Sequence, residues 1–441
     1  MQVRLTEEEE HALSGHRGEA LRLAMTIVVE LGSLYGAERL IPVSQAHIDG
    51  CLYSAVGEAG ADFATKLASL GARVAVPTTL NITARDILNW QEFRIPPEHS
   101  ENSRRVEDAY LEMGCIPTWT CAPYQYGIVP RCGDNIAWAE SNAICYANSV
   151  LGARTNRYGD LIDICCAVTG KAPEFGLHLK DNRMGEILVA FDVPVDAFDD
   201  DSLYSAAGYL AGEVAGSRVP VITGIPRCAS PDNLKAFCAA AASSGPVGLL
   251  HILGLTPEAP ALGTAFGGRT PREEVRVGLA DLLAAAGRLD AAPAAPGGVN
   301  ASSVVPDGAN AESGKPGAVD LVVMGCPHAS YMEVERVARL LWGRRVREGV
   351  EFWVLTSRTV AGLVSRSGLG AMLRDAGVRL CCDTCILQFP LEAWHVASIV
   401  TNSGKMAHYA PSMIGCRTYL RGTVACVDAA LTGEVTWRGR Q

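Results

Sequence analysis

The chain has 441 residues, of which 48% are hydrophobic and 20% charged, with a formal net charge of −10 at pH 7. That length supports two or three ordinary domains or one large α/β unit with a sizeable core, and the acidic balance argues against a nucleic-acid binder, which would carry a basic face. No run of about 18 uncharged apolar residues predicts a membrane span, and the opening MQVRLTEEEEH lacks the apolar stretch of a secretion signal.

Taken in chain order, Thr6 with Glu9 reads as a capping box and predicts a helix through about Tyr35, ended by Gly36. An apolar run, Leu40-Ile41-Pro42-Val43, leads into the loop SQAHIDGCLY, residues 44–53. A helix over 57–70 stops at Gly71, and a strand over 73–77 runs into TTLN, residues 78–81. Asp134 and Glu140 flank a helix that begins near Trp138, and the expected role of Glu140 is helix N-terminal charge. Residues 285–317, rich in Ala, Pro, Gly, Ser and Asn, have no hydrophobic period and read as a flexible insert. They divide the chain into a first α/β region, 1–284, and a second, 318–441. In the second, apolar strands over 321–324, 352–355, 378–380 and 397–400 alternate with helices over 332–342 and 360–376. Alternation of this kind predicts an α/β fold with a mostly parallel sheet covered by helices.

A cytoplasmic chain keeps its fifteen cysteines as thiols or metal ligands rather than as a disulfide framework. In open α/β sheets ligands bind beyond the carboxyl ends of the strands. HIDGCLY, TTLN, TCAPY, GCPHAS, CCDTC and TNSGK all follow apolar runs, and three of these segments hold Cys121, Cys326 and Cys385. The bland alternative for any one cysteine is a buried small hydrophobe. Zinc is a second alternative, with His328 as a fourth ligand, and the lone CxxC of Cys382 and Cys385 also suits a redox pair. Ser403, Gly404 and Lys405 form a turn suited to a carboxylate or phosphate, although the P-loop frame is absent. Arg154 offers a planar fork to a carboxylate, with surface ion pairing as the alternative. His178, in the apolar stretch GLHL, suits either a core position or catalysis.

The segments RLIPVSQAHIDG, TTLN, TCAPY, GDNIAWAESNAICYANSVLGARTNR, GLHL, GCPHAS, DTC and TNSGK, in this order, resemble the large subunit or catalytic domain of aconitase X, a branch of the aconitase superfamily. The resemblance implies an aconitase-like α/β fold whose strand-end loops converge on one cleft. It implies a dehydratase with an iron–sulfur cluster on Cys121, Cys326 and Cys385, the two-iron form favoured over three- and four-iron forms. It places substrate loops at Gly50, Cys51, Leu52 and Tyr53 and at Asn81 and Ile82. Two activities are associated with the family: dehydration of cis-3-hydroxy-L-proline to Δ1-pyrroline-2-carboxylate, and dehydration of mevalonate 5-phosphate in archaea. The archaeal pattern has Gly-Val-Ser in the first loop and Asn-Pro in the second. Here Cys51-Leu52 and Asn81-Ile82 stand instead. Losing the serine hydroxyl removes a phosphate donor, so the bacterial hydroxyproline branch is favoured.

Complete members of the family also contain a small swivelling domain, fused or separate, that carries the proposed proton acceptor, a serine. No such part is recognised here, so a separate small subunit and a heterodimer are expected, with a non-catalytic partner role as the alternative. On this reading the cluster iron acts as a Lewis acid on the C3 hydroxyl, Ser403, Lys405 and Arg154 hold the carboxylate, and Ser403, Lys405 and His178 are the catalytic candidates. Nicotinamide and flavin are not expected, since no GxGxxG frame is present. A zinc- or thiol-dependent hydrolase is disfavoured by the absence of HExxH.

Overall fold

The computed structural model describes residues 3–290, 317–388 and 391–436. The body of the expected insert, 291–316, lies outside the described residues, and 285–288 instead close the helix Leu279–Arg288. Two compact units interleave along the chain. One comprises Met1–Leu188, Arg218–Val221 and Val247–Glu273, and the other Val189–Ser217, Ile222–Pro246 and Glu274–Gln441. Among the described residues no helix is long and apolar enough to cross a membrane.

In the first unit Thr6 makes the expected capping box, its hydroxyl accepting from Glu9 N while the Glu9 carboxylate accepts from Thr6 N. The single helix expected through Tyr35 is two, Glu7–Leu13 and Glu19–Leu34. Gly15 and Gly18 between them sit at φ 86° and 104°, outside the helical region. Five short strands follow: β1 (Leu40–Pro42), β2 (Ala46–Ile48), β3 (Thr78–Leu80), β4 (Ala137–Trp138) and β5 (Lys171–Pro173). β1 pairs antiparallel with β5, and β2 lies between β3 and β4 in a parallel sheet. The strand expected over 73–77 is displaced to the two threonines that follow it. Pro77 has no N–H for a ladder, and its carbonyl instead accepts from Ala46 N at 3.0 Å. Helices Tyr53–Ser69 and Pro97–Glu112 pack on each other, as do Glu19–Leu34 and Ile162–Thr169. Val28, Ile48, Leu67, Leu80, Val106 and Ile164 share the core they cover.

The middle of the chain adds β6 (Ile187–Asp192), β7 (Pro220–Thr223), β8 (His251–Ile252) and β9 (Glu273–Gly278). The second unit is built on β10 (Leu321–Ala329), β11 (Glu351–Thr356), β12 (Val378–Cys382), β13 (Ser398–Thr401) and β14 (Arg417–Leu420). They form one parallel sheet in the order β12-β11-β10-β13-β14. The helix expected over 360–376 is divided into Arg358–Arg366 and Leu369–Ala376 by Gly368 at φ 81°. Val322, Met324, Phe352 and Val354 pack with Val334, Val337, Leu373 and Val427 in one core. Helices Ser202–Ala215, Pro231–Ser244 and Gly404–Met413 pack on one another as a separate layer.

Both parallel sheets reverse direction in the middle. In the first unit the chain runs from β2 to β3 on one side and later places β4 on the other. In the second it runs outward from β10 through β11 to β12, then returns to β13 beside β10. Connections at such a reversal leave in opposite directions and open a crevice beyond the carboxyl ends of the two strands.

Candidate active site

In the first unit the residues just past β2, β3 and β4 are Asp49, Asn81 and Glu140, so one polar side chain stands at each carboxyl end. The Asn81 amide nitrogen donates to the Asp49 carboxylate and, at 3.5 Å, to Glu140 Oε2. Glu140 is the N-cap of the helix Ser141–Tyr146, accepting from Asn142 N at 3.1 Å and from the Asn142 amide. This is the helix N-terminal role expected for it, now joined to two neighbouring strand ends. Asp163 holds the loop from behind. Its Oδ2 accepts from Asp49 N at 2.6 Å and Gly50 N at 3.4 Å, and its Oδ1 from Ile164 N at 2.7 Å.

The electrostatics follow from this crowding. Burial, then the charges of Glu140 and Asp160, hold the Asp49 carboxyl well above the usual carboxylate range. Burial pushes Asp163 up to about 7 in spite of its backbone donors. His47, on β2, bonds through Nδ1 to Thr79 Oγ1 at 2.8 Å. Burial drives it down to about 3, so the ring is neutral at pH 7.

The expected substrate loops are brought together here. The Cys51 thiol faces the carbonyls of Ile48 at 3.4 Å, Asn81 at 3.6 Å and Ile82 at 3.7 Å. Burial raises its pKa far above the ordinary thiol range, which suits a packed side chain rather than a nucleophile. Gly50 O accepts from Tyr110 Oη at 3.0 Å, and a Cβ at Gly50 would stand 3.0 Å from Leu161 N. Leu52 is the buried N-cap of the helix Tyr53–Ser69, and Tyr53 Oη donates to Glu58 at 2.7 Å. Cys121 is reached by a stretch that runs beside β3, with Ile116 N donating to Thr78 O at 2.7 Å and Thr120 N to Leu80 O at 3.2 Å. Arg154 and His178 lie elsewhere in the same unit. His178 bonds through Nε2 to Tyr158 Oη at 2.7 Å and through Nδ1 to Asn135 Oδ1 at 2.9 Å, a hydrogen-bonded buried position. Burial, then the charges of Arg183 and Arg154, lower it to about 4. Arg154 is half-buried, and its Nε has no hydrogen-bond partner among the described residues.

In the second unit Cys326 falls within β10, past the register break after Met324, and Ser403 follows β13, so the two flank the reversal of the sheet. Ser403 is the N-cap of the helix Gly404–Met413. Its hydroxyl donates to Cys326 O and accepts from Met406 N at 3.0 Å. Gly404 packs against Ser205 and Ala240, and Lys405 is half-buried. His328 Nε2 bonds to Thr384 O at 2.9 Å, joining the Cys326 loop to the residue before Cys385. Burial first, then the charges of Lys235 and Lys405, lower His328 to about 4. Lys235 braces this loop from the helix Pro231–Ser244, donating to His328 O at 3.1 Å and pairing with Asp232 at 3.1 Å and with Glu333. Cys326 and Cys385 are both buried.

Two of the non-glycine residues at positive φ, Trp119 at 42° and Asp383 at 67°, stand two positions before Cys121 and Cys385. Such backbone costs on the order of 1–3 kcal/mol and collects at functional sites. Asp383 is held by an ion pair with Arg358. Thr384 Oγ1 is buried without a hydrogen-bond partner among the described residues, and a hydroxyl in that state beside Cys385 suits a thiolate or sulfide acceptor. Among the described residues no three His, Cys, Asp or Glu side chains form a group able to hold a metal ion. Sequence reasoning missed Asp49, Asn142, Asp163 and Lys235. Only Asp49 carried a signal, as the acid at a strand end inside HIDG.

Three family models match the chain: the aconitase X first domain over 2–181, the second over 185–287 and the third over 319–432. The chain is 42% identical to the cis-3-hydroxy-L-proline dehydratase of Pseudomonas aeruginosa, an alignment covering 98% of this chain and 70% of that protein. It is 39% identical to the enzyme of the same name from Hypocrea jecorina, covering 98% and 69%. It is 36% identical to the phosphomevalonate dehydratase large subunit of Methanothermobacter thermautotrophicus, covering 94% and 95%. The crystal structure of holo aconitase X from Thermococcus kodakaraensis superposes with a TM-score of 0.84 at 32% identity, covering 97% of this chain and 100% of that one.

Proposed function

The chain belongs to the aconitase X family and is a hydro-lyase, and we propose that its reaction is the dehydration of cis-3-hydroxy-L-proline to Δ1-pyrroline-2-carboxylate. The observation that carries this choice is the greater identity to hydroxyproline dehydratases, 42% and 39%, than to the archaeal large subunit, 36%. The first substrate loop supports it: Cys51 and Leu52 are both buried and present no hydroxyl to a phosphate.

Cys121, Cys326 and Cys385 are the residues that would hold an iron–sulfur cluster, and the unpartnered Thr384 hydroxyl and the His328 link between two of the cysteine loops fit that role. When bound, the cluster supplies an iron Lewis acid for the departing hydroxyl. In the elimination the C3 C–O bond breaks as the C2 proton passes to a base; the departing hydroxide and that one proton together make up the water lost, and the resulting enamine tautomerises to the cyclic imine. Arg154, whose Nε lacks a partner, and Lys405 are the cations for the substrate carboxylate. Ser403 is a positioning residue, its hydroxyl proton directed to Cys326 O. The base comes from a small aconitase X subunit, a partner suggested by the large-subunit name of the archaeal relative.

A second reading, the large subunit of a phosphomevalonate dehydratase, is favoured by the 36% identity to the archaeal large subunit over 94% of this chain. The test is anaerobic reconstitution with iron and sulfide, addition of a small subunit, and assay of cis-3-hydroxy-L-proline beside mevalonate 5-phosphate. Turnover of the hydroxyproline with absorbance lost in Cys326→Ser is expected. Turnover of the phosphate ester alone assigns the second reading, and a colourless protein with stoichiometric zinc refutes the iron site.

A further inference from the structure

The acidic residues at the carboxyl ends of β2 and β4 have a feature that crowding alone does not explain. Asn81 and Asn142 both turn their amide nitrogens toward carboxylates: Asn81 toward Asp49 and Glu140, Asn142 toward Glu140. That leaves their carbonyl oxygens. Asn81 is 2% exposed and Asn142 1%, and neither Oδ1 has a hydrogen-bond partner among the described residues. Each Oδ1 belongs to the same planar amide as the nitrogen that reaches the carboxylates, so both lie at the cluster. Flipping either amide would set its oxygen against the Glu140 carboxylate, which both nitrogens now face.

A third acceptor joins them. Thr79 Oγ1 donates to Ala46 O at 3.3 Å, so it takes the proton of His47 Nδ1 and leaves Nε2 as a bare acceptor. His47 is fully buried, and Nε2 too has no hydrogen-bond partner among the described residues. Its ring packs 5.7 Å from that of Trp138, whose Nε1 is likewise buried without a hydrogen-bond partner among the described residues. Buried acceptors without donors are costly, on the order of 1–3 kcal/mol each, and here they adjoin carboxylates whose mutual repulsion also asks for positive charge. A group that both donates hydrogen bonds and carries positive charge would answer both demands. It would sit at the reversal between β2 and β4, where an α/β sheet opens to ligands.

We infer that Asp49, Glu140, Asn81 and Asn142 form a subsite for the secondary ammonium of an imino-acid substrate, accepting its two N–H bonds and balancing its charge. The inference rests on the hydroxyproline reading above and deepens it. A hydroxy phosphate ester can offer a neutral hydroxyl donor but only negative charge, whereas a ring ammonium brings both N–H donors and the positive charge that the carboxylates call for. The four residues are binding residues; none needs to exchange a proton for this role.

The test compares two ligands that differ at one ring atom, using the full iron-loaded chain and isothermal titration. L-Proline carries the ring ammonium, and tetrahydrofuran-2-carboxylate carries an ether oxygen in its place. Wild-type protein should bind L-proline at least roughly tenfold more tightly, the scale of a hydrogen bond to a charged group. Asp49→Asn and Glu140→Gln should each bring the ratio close to one by weakening L-proline, leaving the ether acid unchanged. Both substitutions keep size and one oxygen, and circular dichroism checks that each variant folds, so either alone carries the test. Equal binding of the two ligands by wild type overturns the subsite, as does a preference that both variants retain. A preference that disappears when magnesium and calcium are removed assigns the oxygens to a metal ion and also overturns it. If the enzyme turns over cis-3-hydroxy-L-proline while the preference is absent, the subsite alone fails. If neither ligand binds and only mevalonate 5-phosphate is consumed, the substrate reading fails with it.

Discussion

Lys235→Met removes the cation that braces the Cys326 loop. The Lys235 side chain is 3% exposed, and its ammonium serves three oxygens: His328 O and Asp232 Oδ1, each at 3.1 Å, and Glu333 Oε2. Burial pulls the lysine down, but the charges of Glu333 and Asp232 outweigh it and leave the ammonium above its ordinary range. Removing one partner of a fully buried ion pair costs on the order of 3–5 kcal/mol, because the other charge is stranded. Here Glu333 and Asp232 keep 24% and 23% of their side-chain surface, so water takes up part of the loss and the low end, about 3 kcal/mol, applies. The His328 carbonyl loses a donor as well, for about 1 kcal/mol. Adding Glu333→Gln should restore part of this, because the amide still accepts from Ser330 N in the capping box and no longer strands a charge. A coupling of about 1.5 kcal/mol or more between the two substitutions is expected from urea unfolding of all four proteins in the cycle. Iron per chain, measured in parallel, should fall in Lys235→Met and recover partly in the pair. A cost below about 1 kcal/mol, or strictly additive losses, would refute the bracing role.

Three further outcomes follow from the geometry. His178 titrates at about 4 in the folded chain against an ordinary 6.5, so the unfolded state binds the extra proton. Its contribution is complete above pH 6.5 and is lost as the pH falls toward 4, by up to about 1.4 kcal/mol per unit. The melting temperature of His178→Gln should therefore fall less steeply than wild type between pH 7 and 4, and parallel curves would rule this out. Asp163→Asn sets an amide N–H₂ against the backbone donors Asp49 N, Gly50 N or Ile164 N, and thermal or urea unfolding should report a loss of about 2–3 kcal/mol. An unchanged midpoint would show that those bonds are dispensable. His328→Asn cuts the link to Thr384 O and should weaken iron retention roughly 10–100-fold in a chelator competition, as outer-shell changes do. Full retention with a normal fold would remove His328 from the site's support.

Much of the architecture was legible because it is written locally. The Thr6–Glu9 capping box needs only neighbours three residues apart, and it forms as read. The apolar runs at β1, β10, β11, β12 and β13 and the helices between them follow from hydrophobic period alone. Asn81, Cys385 and Ser403 do lie just past β3, β12 and β13, whereas Cys326 falls within β10 and Cys121 follows a stretch beside β3 that is not itself a strand. The local errors also have local causes. Gly18 and Gly368 adopt positive φ, which breaks a helix that a periodic pattern would carry through, and Pro77 passes its strand to Thr78–Leu80.

Which distant groups meet at those strand ends was not legible. Asp163 is 114 residues from the Asp49 amide that it accepts from, and Lys235 is 93 residues from the His328 carbonyl that it donates to. Neither lies in a motif, and each reads in isolation as an ordinary helix residue. Glu140 read as a cap and is one, but the placing of β4 beside β2 also brings it to Asn81. Ser403 read as an anion donor, yet the pairing of β13 with β10 turns its hydroxyl to Cys326 O. Sequence alone determined the alternation of strands and helices and the chemistry available at each strand end, because propensity, period and capping act over a few residues. Only the tertiary structure decided which of those groups share a site, because strand order and the long-range hydrogen bonds that depend on it are properties of the packed sheet.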